Sequence, residues 1–200
     1  MLDAALDQLE DGISFDQLSL RRVARAAGVV PAAFYRHFAS MDELGLTLVE
    51  ESVRTLRAML REAREGGLPP ERMIARSVEI LVAHVREHRR HFAFIADARS
   101  SANAVLRHTI RSEIRLFASE LATDLARFPV LRDWTTADLQ MLAGLFVDTM
   151  ITAIDAMLES PASALAADGP EGETQNAIAV LTEKRLRLIA LAVPQWRSGG

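Results

Sequence analysis

The sequence predicts an all-α fold in two parts, three short helices followed by several long ones. Three observations lead there. Apolar residues recur at helical spacing along nearly all of the 200 residues, and no segment alternates with period two for long enough to make a strand. Start and stop residues punctuate that pattern closely over the first forty-five residues and sparsely afterwards. Residues 18–38 hold four arginines and one histidine with no acidic residue, in a chain whose net charge is −4.

Leu2, Ala5, Leu6 and Leu9 mark a short first helix ending near Gly12, and Phe15 and Leu18 then fall where they can pack beneath the following elements. Ser19 is a good N-cap for a second helix and Gly28 a good residue just past its end. Pro31 sits at the start of a third helix, where its missing N–H costs little. Ser40-Met41-Asp42-Glu43 is a capping box opening a long fourth helix with Leu46, Val49, Val53, Leu56 and Leu60 on one face.

The fourth helix is expected to stop at Gly66-Gly67, and Pro69-Pro70-Glu71 to start a fifth carrying Ile74, Val78, Leu81, Val82 and Val85. Ser100, Ser101 and Asn103 are candidate caps for a helix through Leu106, Ile110, Ile114, Phe117, Leu121 and Leu125, closed by Pro129. Thr135 or Thr136 caps a helix with the stripe Leu139, Leu142, Phe146, Met150, Ile154 and Met157, running to about Ser160. Residues 160–172, rich in Pro, Ala and Gly and carrying Asp168, read as a loose connection. The last helix carries Ile178, Leu181, Leu188, Ile189 and Ala192 and stops at Pro194. The expected division is 1–45 and 46–200.

Composition narrows the function classes. Half the residues are hydrophobic and a quarter charged, enough apolar material for a packed core. The absence of cysteine rules out disulfides and thiolate metal sites. No apolar run approaches the length of a membrane span, and the acidic, amphipathic start does not read as a secretory signal, so a cytoplasmic protein without membrane contact is expected. No Gly-rich phosphate loop, nucleophile elbow or His/acid set has motif spacing. Asp155 and Glu159 sit one turn apart, as exposed helix charges do. Neither an enzyme nor a cofactor is expected.

The basic island at 18–38 has the layout of a helix-turn-helix. A reading helix must enter a groove about 12 Å wide while a partner helix holds it there. Gly28 suits the corner between them, and Ala24 is small where they cross. Leu20, Val23 and Ala27 form the inner face of the second helix, with Val29, Phe34 and Phe38 opposite. Arg21, Arg22 and Arg25 then point outward, and Pro31, Ala32, Ala33, Tyr35, Arg36 and His37 surround the exposed part of the third helix, about Pro31 to His37. Tyr35 and His37 have polar tips suited to phosphate oxygens, and Ser19 offers its hydroxyl and a helix start to a phosphate. Arg36 can reach a guanine edge or grip a phosphate. Ala32 and Ala33 let the backbone approach and bring methyls to thymine methyls. Read without these agreements, the stretch is a solvated basic face on a helical hairpin.

Ser-Leu-Arg-Arg-Val-Ala-Arg-Ala-Ala-Gly-Val, followed by Phe-Tyr-Arg-His-Phe and Asp-Glu-Leu, closely resembles the N-terminal domain of TetR-family transcriptional regulators over about the first fifty residues. Phe34 to Phe38, Met41 to Leu46 and the later Ala98-Arg99-Ser100-Ser101 are similar to the FabR- and DesT-type repressors of unsaturated fatty acid synthesis. The resemblance implies an all-helical homodimer. Its helix-turn-helix domains take a pseudo-palindromic double-stranded DNA operator, and its C-terminal helical domain binds ligand and dimerises. The subgroup implies an acyl-CoA or acyl-carrier-protein thioester as effector. An efflux or catabolic regulator with another ligand, and a helical binding protein that no longer binds DNA, are the alternatives. Members usually carry a basic arm before the first helix, where this sequence reads Met1-Leu2-Asp3, and many carry a lysine where Met41 stands. The first fifty residues hold four arginines against eight acids. DNA affinity is therefore expected to rest on the local patch, to be weak, and to fall steeply with salt.

Three weaker signals complete the reading. His84, His88 and His91 fall at i, i+4 and i+7, a spacing at which two histidines can chelate zinc, but without supporting acids they read as a solvated or interface face and no metal is expected. Arg99, after the apolar run Phe92 to Ala96, can hold an anionic head group at the mouth of a cavity lined by Phe92, Phe117, Phe146 and Met150; equally it is a capping arginine and these are plain core. The last two long helices are apolar enough to bury a face against a second copy, with Ala143 and Gly144 permitting close approach.

Overall fold

The structure, a computed structural model, describes residues 1–65, 70–159 and 170–199. Its described elements are helices α1 (Leu2–Glu10), α2 (Leu20–Ala26), α3 (Pro31–Phe34), α4 (Met41–Glu65), α5 (Pro70–Glu87), α6 (Arg89–Ala98), α7 (Ala104–Leu125), α8 (Thr136–Glu159) and α9 (Pro170–Ala192), with 3-10 turns at Phe15–Gln17 and Val193–Gln195. No strand occurs among the described residues. The expected all-α fold is observed. The expected stop at Gly66-Gly67 and the connection over 160–169, with Asp168, lie outside the described residues. Residues 170–172, expected in that connection, form the first turn of α9.

The chain divides into two compact units, Met1–Arg61 with Glu87–Ser112, and Glu62–Arg86 with Glu113–Gly200. In the first, α1 packs on α6 and on α2, and α2 on α3. Leu6, Val23, Phe34, Leu44, Phe92 and Phe94 are among its fully buried side chains. Phe15 meets Phe94 edge to face with centroids 5.9 Å apart, so the 3-10 turn plugs this core. Gly45 fits beneath that plug: a Cβ there would lie 2.8 Å from the Phe15 ring and 2.9 Å from Leu106. In the second unit α8 packs on α9. Leu131, Leu139, Leu142 and Ala143 form a core with Phe128, Trp134, Phe146 and Ile189 against it.

Local signals explain most boundaries. The Ser19 hydroxyl accepts from the Arg22 amide at 3.3 Å and caps α2. Gly28 (φ +68°) ends α2 in a Schellman arrangement, its amide donating to the Arg25 carbonyl and that of Val29 to the Ala24 carbonyl. The Ser40 hydroxyl accepts from the Glu43 amide at 3.1 Å, and the Glu43 carboxylate reaches back to the Ala39 amide. Asn103, of the three candidates, caps α7 by accepting from the Val105 and Leu106 amides. Thr135 caps α8 by accepting from the Asp138 amide.

Several expectations are corrected. The third helix stops at Phe34 rather than His37; residues 35–37 continue as a turn with i to i+3 bonds from the Arg36 and His37 amides. Val29, expected opposite the second helix, is 36% exposed, and its amide closes the cap of α2. The helix expected to close at Pro129 ends at Leu125, and 126–134 are mostly turns. The three histidines do not share one helix face: the helix breaks at His88 (φ −119°, ψ 33°), between α5 and α6. Ala143 is fully buried in the core of its own unit, so it offers nothing to a second copy. Helix α8 is, by length and composition, apolar enough to cross a membrane, contrary to the sequence reading; it packs against α9 and supplies Leu139, Leu142 and Ala143 to a core.

Candidate nucleic-acid interface

The helix-turn-helix presents its charges outward. Val23, Ala24 and Phe34 are buried between α2 and α3. Phe38 packs on Phe34 with centroids 5.5 Å apart, so the aromatic spacing at i, i+4 anchors the segment after α3. With those residues inward, Ser19, Arg21, Arg22, Arg25, Pro31, Ala32, Tyr35, Arg36 and His37 are all exposed, and Ala33 is half-buried. Tyr35 is 64% exposed, its ring nearly perpendicular to that of Phe34. None of the four arginines makes an ion pair with a described residue, and no acidic residue occurs from Gln17 to Met41. Exposed arginines without an ion-pair partner or a neighbouring acid in sequence are suited to a polyanion. One residue that the sequence reading did not single out belongs to this surface: Val30, 67% exposed at the start of α3.

Three aspartates, Asp16 and Asp42 on the flanks of this motif and Asp97 in the last turn of α6, tie those flanks to the end of α6 and the segment that follows it. The Phe15 amide donates to Asp97 at 2.8 Å. Asp16 accepts from the Ser101 hydroxyl at 2.6 Å and from the Ala102 amide at 2.7 Å. Asp42, at the start of α4, accepts from the Asn103 side-chain amide at 2.6 Å. The motif is thus held before α2 and after α3 by one short segment. The Ser101 hydroxyl and the Ala102 amide hold Asp16 below the usual carboxylate range. Burial pushes Asp97 up, opposed by the Phe15 amide. On α1, Asp7 and Asp3 pair with Arg90 of α6. Local spacing marks Ser101 and Asn103 as candidate caps, and nothing in it signals partners 85 and 61 residues away.

The candidate effector residues divide between the units. Phe92 and Arg99 lie in the first, where Phe92 is 2% exposed in the core and Arg99 is half-buried. Phe117, Phe146 and Met150 lie in the second, Phe117 buried and the other two half-buried. His84 and His91 hold separate posts, and the His88 ring packs on that of His91 with centroids 6.4 Å apart. His84 Nε2 lies 3.0 Å from Glu62 in the second unit. His91 Nδ1 lies 3.1 Å from the buried Ser52 hydroxyl in the first, and burial lowers its pKa. Among the described residues no group of three or more His, Cys, Asp or Glu is placed to hold a metal.

Residues 1–47 match the family model for bacterial regulatory proteins of the tetR family. A TetR-like transcriptional regulator from Rhodococcus sp. RHA1 superposes with a TM-score of 0.67 at 23% identity, over 96% of this chain and 93% of that one. A second transcriptional regulator from Rhodococcus sp. RHA1 gives 0.63 at 20% identity, over 93% and 96%. A TetR family transcriptional regulator from Chloroflexus aurantiacus J-10-fl gives 0.58 at 16% identity, over 96% and 87%. The N-terminal region is of the tetR type, on an all-helical fold shared with TetR-like proteins along nearly its whole length.

Proposed function

We propose that this chain, with its tetR-type N-terminal region, is a cytoplasmic, dimeric, ligand-responsive transcriptional repressor without catalytic activity. The carrying observation is the set of exposed arginines on α2 and just after α3, with no ion pair among the described residues and aromatic packing between Phe34 and Phe38. Residues 1–45 meet the duplex and 46–200 hold the effector and the second copy. Ser19, Arg21, Arg22, Tyr35 and His37 take phosphates, Arg36 takes a phosphate or a guanine edge, and Pro31, Ala32 and Ala33 face the bases. Two copies place their α3 segments in successive major grooves roughly 34 Å apart, on a pseudo-palindrome.

A dimer face is available on α8 and α9. Leu188 and Leu191 are 70% and 73% exposed, and Met141, Leu145 and Leu181 are exposed as well. Large apolar side chains repeated along two packed helices are suited to a four-helix bundle with a second copy.

The effector we infer is a long-chain acyl thioester, on acyl-CoA or acyl-carrier protein, and the genes controlled are those of unsaturated fatty acid synthesis. Phe117, Phe146 and Met150 supply apolar contact for the acyl chain in the second unit. The support is the sequence resemblance and the supply of partly buried aromatic and methionine side chains. An effector shifts DNA affinity only by its differential affinity for two states of the protein.

Titration of the full chain against duplex DNA from upstream of its own gene tests the DNA reading: specific retention supports it, and retention no different from unrelated duplex at every salt concentration overturns it. Native mass spectrometry tests the effector separately. A co-purified acyl chain, or a shift in DNA affinity on adding oleoyl-CoA, supports it. Neither effect favours a regulator with another ligand.

A further inference from the structure

The leading edge of α3 has no hydrogen-bonding side chain. Val30 (67% exposed), Pro31 and Ala32 are exposed in sequence, followed by the half-buried Ala33, and Pro31 lacks even a backbone N–H. The only polar tips of this face, Tyr35, Arg36 and His37, come after the helix has ended. An apolar patch in a motif whose arginines, Arg21, Arg22, Arg25 and Arg36, are all exposed is ill-suited to a hydrophobic protein surface, which has no anions for them. It suits a duplex, whose phosphates meet the arginines and whose base edges meet an apolar centre.

The chemistry of the major groove then restricts what this centre can distinguish. Guanine, cytosine and adenine present only donors and acceptors there, whereas thymine alone presents an apolar group, its 5-methyl. Side chains that neither donate nor accept cannot select among the first three except by exclusion. We propose that Val30, Pro31 and Ala32 read thymine through its 5-methyl group, so that half-site specificity beneath the start of α3 rests on apolar contact. This rests on the DNA-binding reading above and extends the thymine contact expected of Ala32 to Val30 and Pro31, as the main source of specificity beneath the start of α3.

The test begins with selection of tight-binding duplexes from a random-sequence library by the full chain. The winning duplex is resynthesised with deoxyuridine replacing thymine one position at a time, which removes only the methyl. Anisotropy at fixed salt is expected to show in each half-site at least one thymine where deoxyuridine weakens binding about three- to tenfold, the scale of one or two buried methyl groups. Thymines outside the footprint are expected to be neutral. Val30→Ala, at an exposed position with little consequence for folding, and Ala32→Gly are expected to shrink the thymine-to-deoxyuridine ratio without changing the salt slope. If sequences are enriched but every deoxyuridine duplex binds like its parent, the methyl readout is wrong and the DNA-binding reading stands. If no sequence is enriched, both fall.

Discussion

Arginine is used in two ways in this molecule. Outside the helix-turn-helix several arginines are engaged within the chain: Arg90 with Asp7 and Asp3, Arg76 with Glu62 and Glu79, Arg187 with Glu183, and Arg107 with the Ser101 and Ala102 carbonyls. Between Gln17 and Met41 four arginines stand exposed with no ion pair to any described residue. The amino acid is the same, so composition alone does not separate the two uses. What separates them is the neighbouring acid: present along α1, α4, α5 and α9, absent over twenty-five consecutive residues around the reading corner. An arginine paired inside the protein contributes a little to its fold, and one left unpaired at a corner held by aromatic packing is available to a partner.

The sharpest way to break this comparison is to reverse charge on one side of it. Arg21→Glu with Arg22→Glu is expected to lower DNA affinity by about a hundredfold or more at moderate salt, through two lost phosphate contacts and two new repulsions, with an unchanged thermal midpoint. Arg90→Ala should do the opposite, leaving DNA affinity within about twofold while costing up to about 1 kcal/mol in a denaturant titration, the scale of an exposed pair. Equal effects of the two changes on DNA binding would erase the distinction.

Two glycines sharpen it on the side of packing. Gly45→Ala puts a methyl group into Phe15 and Leu106, and is expected to destabilise by about 1–3 kcal/mol through overpacking. Gly28→Ala meets no neighbour within 4 Å but must hold φ +68°, and is expected to cost about 1–2 kcal/mol through backbone strain alone. Urea unfolding of both variants separates the mechanisms: removing the neighbour with Phe15→Leu should relieve part of the Gly45→Ala cost and none of the Gly28→Ala cost.

The smallest expected effect concerns the aspartates that tie the motif's flanks. Asp16 has a folded pKa below its unfolded value. Its contribution to stability is therefore present above the ordinary carboxylate pKa of about 3.9 and is lost as pH falls through the depressed value. Asp97 is raised by burial, so its contribution has the opposite sign: present below about 3.9 and lost as pH rises through the raised value. Asp16→Asn is thus expected to cost up to about 1 kcal/mol at pH 7, given how exposed the group is, and less at pH 3. Asp97→Asn should cost less at pH 7 than at pH 3. Stability curves at the two pH values check both signs.

The sequence made legible what is decided within one or two helical turns. Ser19, Gly28, Pro31, the Ser40–Glu43 box and Thr135 mark ends correctly because a cap involves groups only a few residues apart. The all-helical fold was legible for the same reason, through periodicity. What was not legible depends on distant partners. The break at His88 has no proline or glycine to announce it. The Asp16–Ser101 and Asp42–Asn103 bonds span 85 and 61 residues. The C-terminal tie, in which Ser198 accepts from the Thr135 amide and donates to Asp138, spans about 60 and likewise leaves no trace in local spacing. At the candidate interface the outward arginines were legible from the apolar spacing that buries Val23 and Phe34. The exposure of Val30 was not, since a valine beside a helix start is as readily core.

The central claim is that the exposed arginines of α2 and of the turn after α3, which make no ion pair with any described residue, hold phosphates. Its most direct test is the salt dependence of duplex binding by the full chain and by Arg21→Ala/Arg22→Ala. The expected result is a linear fall of log affinity with log salt, and a slope shallower in the double variant by about one for each arginine removed. An affinity that hardly changes with salt, or the same slope in both proteins, would contradict it.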